Sequence, residues 1–199
     1  MFPSLRGEGA AEQIMVLSDD EFEEWAMVSE MSEAEGLDPS SLVDAKRRPD
    51  WLDWDKAIHE ELAVLKESGT WTLVDAPPGA NIVGSKWVFR VKKDADGNIL
   101  RKKARLVAQG FSQVPGVDYF DTYAPVARLA SIRTVLALAA RQNMELHQID
   151  IKGAYLNGEL TPDEVIYMRQ PPEYASRDHP NRVCRLQKTI YGLRQSGRR

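Results

Sequence analysis

The residues best placed for chemistry lie in one stretch, Glu145-Leu146-His147-Gln148-Ile149-Asp150-Ile151-Lys152-Gly153-Ala154-Tyr155-Leu156-Asn157-Gly158. Leu146, Ile149 and Ile151 suit a buried strand of about four to eight residues, which would leave Asp150 at the strand's carboxyl-terminal mouth. A carboxylate there, followed by Tyr155 and by two glycines that let the backbone turn closely, is the arrangement expected of a metal-binding acid in phosphoryl transfer. The bland alternative for a lone acid at a strand end is a cap or turn former. What the rest of the chain supplies upstream decides between the two.

A second chemical feature is a basic ribbon. Lys86 to Lys93 and Ile99 to Ala108 are two β-prone runs around Asp94-Ala95-Asp96-Gly97-Asn98, a hairpin pattern with a longer turn than the two-residue kind. Residues 86–105 carry eight Lys/Arg against two acids. Alternation gives such a ribbon one face for a core and one for solvent or a polyanion. Bases interleaved with aromatic and aliphatic residues favour phosphate contact over a merely lysine-guarded edge.

The elements that must position these features are legible around them. Asp50 can cap a helix in which Trp51, Trp54, Ile58, Leu62 and Leu65 recur at helical spacing until Gly69 stops it. Lys56, Glu60, Glu61 and Lys66 then form its solvated face. Trp71 to Val74 reads as a strand ended by Pro77-Pro78-Gly79. Phe111 to Arg128 reads as a loop anchored on the core by Phe111, Tyr119, Phe120 and Tyr123. Ser131 can cap a helix from Ile132 to about Gln142, apolar nearly all round and so buried. Glu164–Met168 and Val183–Leu186 read as strands, and Ile190 to Leu193 as the start of a helix.

Composition sets the frame. The chain of 199 residues, 43% hydrophobic and 28% charged, is long enough for one domain with a substantial core. A single cysteine excludes an internal disulfide, and the three histidines show no ligand spacing. No apolar run spans a bilayer and no signal-peptide pattern opens the chain, so the expectation is an intracellular protein without membrane partners, cytoplasm and nucleus not being distinguished. The net charge of −4 divides unevenly: residues 1–50 hold 13 acids against 4 bases, the remainder 17 against 22. The acidic part, residues 1–43, buries too little apolar surface to offset ordering entropy and is expected to be mostly disordered. Within it Asp19 to Val28 could form a short helix, as a docking peptide or a linker.

The order of motifs resembles the reverse transcriptase of copia-type long-terminal-repeat retrotransposons. The matching segments are WDKAIHEE (Trp54 to Glu61), TWTLV before PPG, VGSKWVFRVK (Val83 to Lys92), KARLVAQGF (Lys103 to Phe111), PGVDYFDTYAPV (Pro115 to Val126), LHQIDIKGAYLNGEL (Leu146 to Leu160), IYMRQP (Ile166 to Pro171) and VCRLQKTIYGLRQ (Val183 to Gln195). Together they cover roughly residues 40–195. The resemblance implies an α+β fold, a partial right-hand polymerase with fingers and the first part of the palm over residues 44–199. It implies magnesium held by Asp150 as first catalytic acid and by the backbone carbonyl of Ile151, and Tyr155 as the ring that excludes a ribose 2′-hydroxyl. It implies Lys93 and Arg105 as contacts to the incoming triphosphate, with Lys92 and Lys103 as register alternatives. Lys92, Lys102 and Lys103 are the candidates for nucleic-acid contact. The implied partners are an RNA or DNA template-primer, deoxynucleoside triphosphates and the remainder of a polyprotein. Two departures accompany the match: no Tyr-x-Asp-Asp sequence occurs, and the family's Gln-Ala-Pro-Arg stands here as Gln195-Ser196-Gly197-Arg198. The expectation is therefore a polymerase fragment that is catalytically silent by itself, the alternative being a non-catalytic nucleic-acid-binding remnant or an inert relic.

Overall fold

The computed structural model describes residues 36–94, 96–124, 127–147, 149 and 153–199. The docking-peptide segment, Asp150 and Ile151 lie outside them. The described residues fall into two compact units, one of residues 127–147 and 149 and the other of residues 36–94, 96–124 and 153–199.

In the larger unit, helix α1 (Leu42–Arg47) leads into α2 (Trp51–Glu67). The spacing expected of α2 is realised: Trp54, Ala57, Ile58 and Leu65 are buried. Its stop is also as expected, with Gly69 at φ 63° and the Thr70 N–H donating to Leu65 O at 3.1 Å. Asp50 precedes the helix, yet its carboxylate makes no cap and instead meets Lys102 at 2.5 Å.

Within the segment expected to be mostly disordered, residues 1–35 lie outside the described residues, and residues 36–43 are held by the fold. Asp38 accepts from the Val91 N–H at 2.6 Å and from Arg90 at 2.9 Å, while Arg48 binds the carbonyls of Gly36, Leu37 and Asp38. An acid can belong to the fold when a strand offers it an unpaired N–H and a cation.

Two sheets follow. The hairpin pairs β3 (Ser85–Lys93) with β4 (Ile99–Ala108), with an irregularity between Lys92 and Lys93. Its turn is held by Asp94, which accepts from the backbone of Asp96 and Asn98, with Gly97 at φ 81°. The other sheet runs β1 (Trp71–Val74), β6 (Val183–Leu186), β5 (Tyr167–Met168) and β2 (Ile82–Val83), antiparallel except for the β2–β5 pair. The expected strand Glu164–Met168 is thus only Tyr167–Met168. Glu164 turns back to accept from Thr161 and meets Arg199. A single core joins α2, the hairpin and the second sheet through Trp54, Ile58, Phe89, Leu106, Met168 and Ile190, with the Trp54 and Phe89 rings edge to face at 5.4 Å.

Two expectations are corrected here. The loop after β4, opened by a 3-10 turn (Gly110–Ser112), leaves Phe111, Phe120 and Tyr123 exposed. Buried polar groups hold it instead: Asp118 accepts from Asn81 at 2.6 Å and Val114 N–H at 2.7 Å, and Gln195 donates to Asp118 O at 3.0 Å. Irregular backbone near a core needs partners for its polar atoms before it needs rings. The segment after Ile190 forms turns rather than a helix, because Gly192 sits at φ 90° and Arg194 N–H is taken by Gln113.

In the smaller unit, helix α3 spans Leu129–Arg141, three residues earlier than Ser131 as a cap would allow. Only Ala139 of this helix is buried, and Leu129, Ile132, Val135, Leu136 and Leu138 are exposed. An all-round apolar pattern states that a helix has a surface to cover, not that the cover is present. Leu146 and Ile149 are likewise exposed and outside any strand.

Candidate nucleotide and nucleic-acid interface

Register sorts the basic residues of the hairpin. Across it Val88 faces Arg105, Arg90 faces Lys103 and Lys92 faces Arg101, with Lys86 opposite Val107. Six bases, Lys86, Arg90, Lys92, Arg101, Lys103 and Arg105, therefore share one face. Trp87, Phe89, Val91, Ala104 and Leu106 are on the other and are buried. Period-two alternation produces this division, the core-side series being apolar from Trp87 to Val91 in β3 and from Ala108 back to Ala104 in β4.

Lys102, a nucleic-acid candidate from sequence, is on the core side, opposite Val91. Its ammonium meets Asp50 at 2.5 Å and Asp53 at 2.8 Å and lies 5.5 Å from the Trp54 ring centre. It clamps the hairpin to the start of α2. Lys93 follows the register irregularity and pairs with Ile99. Burial, together with Arg105 and Arg101 nearby, holds the Lys103 ammonium below its ordinary range.

Tyr155 is in the short helix α4 (Ala154–Asn157), entered through Gly153 at φ 64°. Its ring is partly exposed and stands edge to face on Tyr191, centroids 5.2 Å apart. Its carbonyl accepts from the Thr189 hydroxyl. The guanidinium of Arg105 lies 4.9 Å from the centre of the same Tyr191 ring. Tyr191 thus brings two residues singled out from sequence, Tyr155 and Arg105, to one place, with Lys103 two positions along the strand. Sequence reading missed Tyr191; its only signal was the glycine that follows it.

That glycine fixes the contact. A Cβ on Gly192 would come 2.2 Å from Ala108 O, and a Cβ on Gly110 would come 2.2 Å from Gly192 O. The two glycines let the turn lie flat on the end of β4, where the Ala108 N–H donates to Tyr191 O at 2.8 Å.

Asp150 and Ile151 lie outside the described residues, and among the described residues no group of three His, Cys, Asp or Glu is placed to hold a metal. Nor, among them, is any helix long and apolar enough to cross a membrane.

Residues 68–199 match the family model of the reverse transcriptase (RNA-dependent DNA polymerase). The chain is 42% identical over 161 residues to the retrovirus-related Pol polyprotein from transposon TNT 1-94 of Nicotiana tabacum, covering 81% of this chain and 12% of that polyprotein. It is 44% and 46% identical, over 146 residues each, to the Pol polyproteins from transposons RE1 and RE2 of Arabidopsis thaliana, covering 73% of this chain and 10% of each polyprotein. An uncharacterised mitochondrial protein of Arabidopsis thaliana is 45% identical over 111 residues, 56% of this chain and 62% of that protein. The chain spans about a tenth of the length of the polyproteins it matches. No solved structure matches. Motif order, the mixed α and β architecture and these matches lead to one conclusion: the chain belongs to the reverse transcriptase (RNA-dependent DNA polymerase) family, alongside the Pol polyproteins of copia-type plant transposons.

Proposed function

We propose that this chain is the nucleotide-handling part of a right-hand polymerase, fingers and the first part of a palm, that adds deoxynucleotides on an RNA or DNA template. The observation that supports it most is the Arg105–Tyr191–Tyr155 stack, which joins a basic strand to an aromatic ring at the distance scale of a nucleotide. A triphosphate has its charge at one end and its sugar at the other, so a binding face for it needs cations and a steric wall side by side. In this reading Lys103 and Arg105 attract the phosphates, with Lys92 and Lys93 flanking them, and Tyr155 obstructs a ribose 2′-hydroxyl by bulk. Lys102, engaged by Asp50 and Asp53, supports the hairpin more than it binds. Asp150 and the Ile151 carbonyl are the magnesium positions, and the metal would supply charge neutralisation for the attacking and leaving oxygens. The partners are template-primer, deoxynucleoside triphosphates and the rest of a polyprotein, within the cell.

A two-metal transfer needs carboxylates from more than one strand, because magnesium prefers octahedral oxygen coordination. The 199-residue chain carries no Tyr-x-Asp-Asp sequence to complement Asp150, so by itself it binds without polymerising. Two measurements test this reading. Replacing Lys103 and Arg105 together by Ala should weaken binding of a single-stranded oligonucleotide and reduce its log–log salt slope by about 0.7 per lost phosphate contact; an unchanged slope refutes the phosphate-binding face. Template-directed incorporation by the purified chain, abolished by Asp150→Asn, would refute its silence.

A further inference from the structure

The helical period that buries Trp54, Ala57, Ile58 and Leu65 also carries Glu61 to that side of α2, three residues after Ile58 and four before Leu65. Assigned by residue type to a solvated face, it is half-buried instead. Its Oε1 is sealed from solvent and has no hydrogen-bond partner. What faces it is β4: the Leu106 N–H on that strand's outer edge and the charges of Lys103 and Arg105. Arg105 is in the complementary condition, its Nε sealed and without a partner while its guanidinium rests on Tyr191. An orphaned acid oxygen and an orphaned cationic N–H of opposite charge thus stand in one cluster. Behind Lys103 come Arg101 and Lys92 of the same face.

We propose that Glu61 is a positioning residue of the phosphate-binding face, an internal counter-charge that holds Lys103 and Arg105 at rest and is neutralised by one proton from solvent when a polyphosphate takes its place. This rests on the reading of Lys103 and Arg105 as phosphate contacts. A bound polyphosphate brings several negative charges beside a carboxylate already short of solvent, and like charge disfavours its ionised form. Burial raises the Glu61 carboxyl above its ordinary range even without a ligand, against the opposing pull of Leu106 N–H, Lys103 and Arg105. Occupancy of the two cations by phosphate removes that pull, so the carboxyl titrates higher still in the complex. The bound form then holds more protons than the free form, and affinity increases as pH falls between the two values, by at most about tenfold per pH unit for one proton.

Inorganic tripolyphosphate is the probe, titrated calorimetrically into the 199-residue chain in two buffers of different ionisation enthalpy. The wild-type chain should take up a fraction of a proton on binding in excess of the tripolyphosphate's own. Glu61→Gln, which keeps an acceptor for the Leu106 N–H, should lose that excess and bind several-fold more tightly at pH 7. A merely structural edge cap would leave the pH dependence of affinity the same in both, and that result overturns the proposal. Should Glu61→Gln not fold, the carbon-13 shift of the wild-type Glu61 carboxyl decides, since its titration must move to higher pH with tripolyphosphate present; an unmoved titration also overturns the proposal. Lys103→Ala and Arg105→Ala separate the two levels. If neither weakens tripolyphosphate binding, the phosphate-binding face itself fails and the counter-charge with it. If they weaken binding while proton uptake is unaffected by Glu61→Gln, only the role of Glu61 fails.

Discussion

Gly192→Ala is the sharpest single-atom probe of how the nucleotide face is assembled. Gly192 occupies φ 90°, and the added Cβ would lie 2.2 Å from Ala108 O and 2.6 Å from Val107 Cγ1. Gly79 supplies the control: it has φ 75°, but nothing lies within 4 Å of a Cβ there. Both substitutions place an L-residue in the left-handed region, a cost of about 1–2 kcal/mol. Only Gly192→Ala adds overpacking against backbone, about 1–3 kcal/mol. Relief by moving the turn breaks the 2.8 Å bond from Ala108 N–H to Tyr191 O, worth about 1 kcal/mol. The expected losses are therefore about 3–6 kcal/mol for Gly192→Ala and about 1–2 kcal/mol for Gly79→Ala, the larger being a substantial share of the roughly 5–15 kcal/mol that holds a domain of this kind folded. Urea unfolding followed by tryptophan fluorescence measures both, with equal slopes required for the comparison. Equal losses at the two positions would refute the close approach of the turn to β4.

Three further outcomes follow from the packing. Trp54→Ala empties the centre of the core and should cost about 3–5 kcal/mol in the same assay, a loss under about 1 kcal/mol contradicting the core assignment. Asp50 is pushed up by burial but held below its ordinary range by the hydrogen bond and charge of Lys102, so its contribution is present above the ordinary carboxylate range and lost as pH falls through the depressed value. Lys102→Ala should abolish that acid-side loss, and stability curves of the two proteins that stay parallel below pH 5 would disprove the clamp. Glu61 has the opposite sign: its raised carboxyl favours the fold at low pH and opposes it as pH rises through its folded value. The thermal midpoint of Glu61→Gln should accordingly gain on wild type between pH 4 and pH 8, and a constant difference would rule this out.

Local periodicity made much of this fold readable. The α2 face, its glycine stop, the hairpin and strands β1 and β6 were legible because each is set by spacing or turn chemistry within a few residues. The family was legible from motif order. Glu61 was misread because residue type was weighed above position, although the same period that placed Ile58 and Leu65 placed it too. Tyr191 and Gln195 were hidden for a different reason. Their conformations answer to partners far along the chain, Ala108 and Asp118, and no window of sequence contains both ends of such a bond. The aromatic loop failed similarly: Phe111 and Tyr123 suggested anchors, but the anchoring is done by a carboxylate and two amides.

The pairing of strands carries a consequence for the order in which the molecule assembles during synthesis. The β3–β4 hairpin and the helix packed on it are complete once residue 108 has emerged, and the pairing within the hairpin is local in sequence. The strand β1 has to wait for β6, with Trp71 opposite Leu186, and β2 has to wait for β5. Distant pairings close slowly because the loop entropy is spent before the contacts form. A nascent chain therefore presents a finished helix–hairpin module beside two unpaired strand edges while residues 109 to 186 are being made. Those edges are where a holdase would bind and where premature release would lead to aggregation. Protection against hydrogen exchange in ribosome-bound intermediates should appear in Trp87 to Ala108 first and in Trp71 to Val74 last.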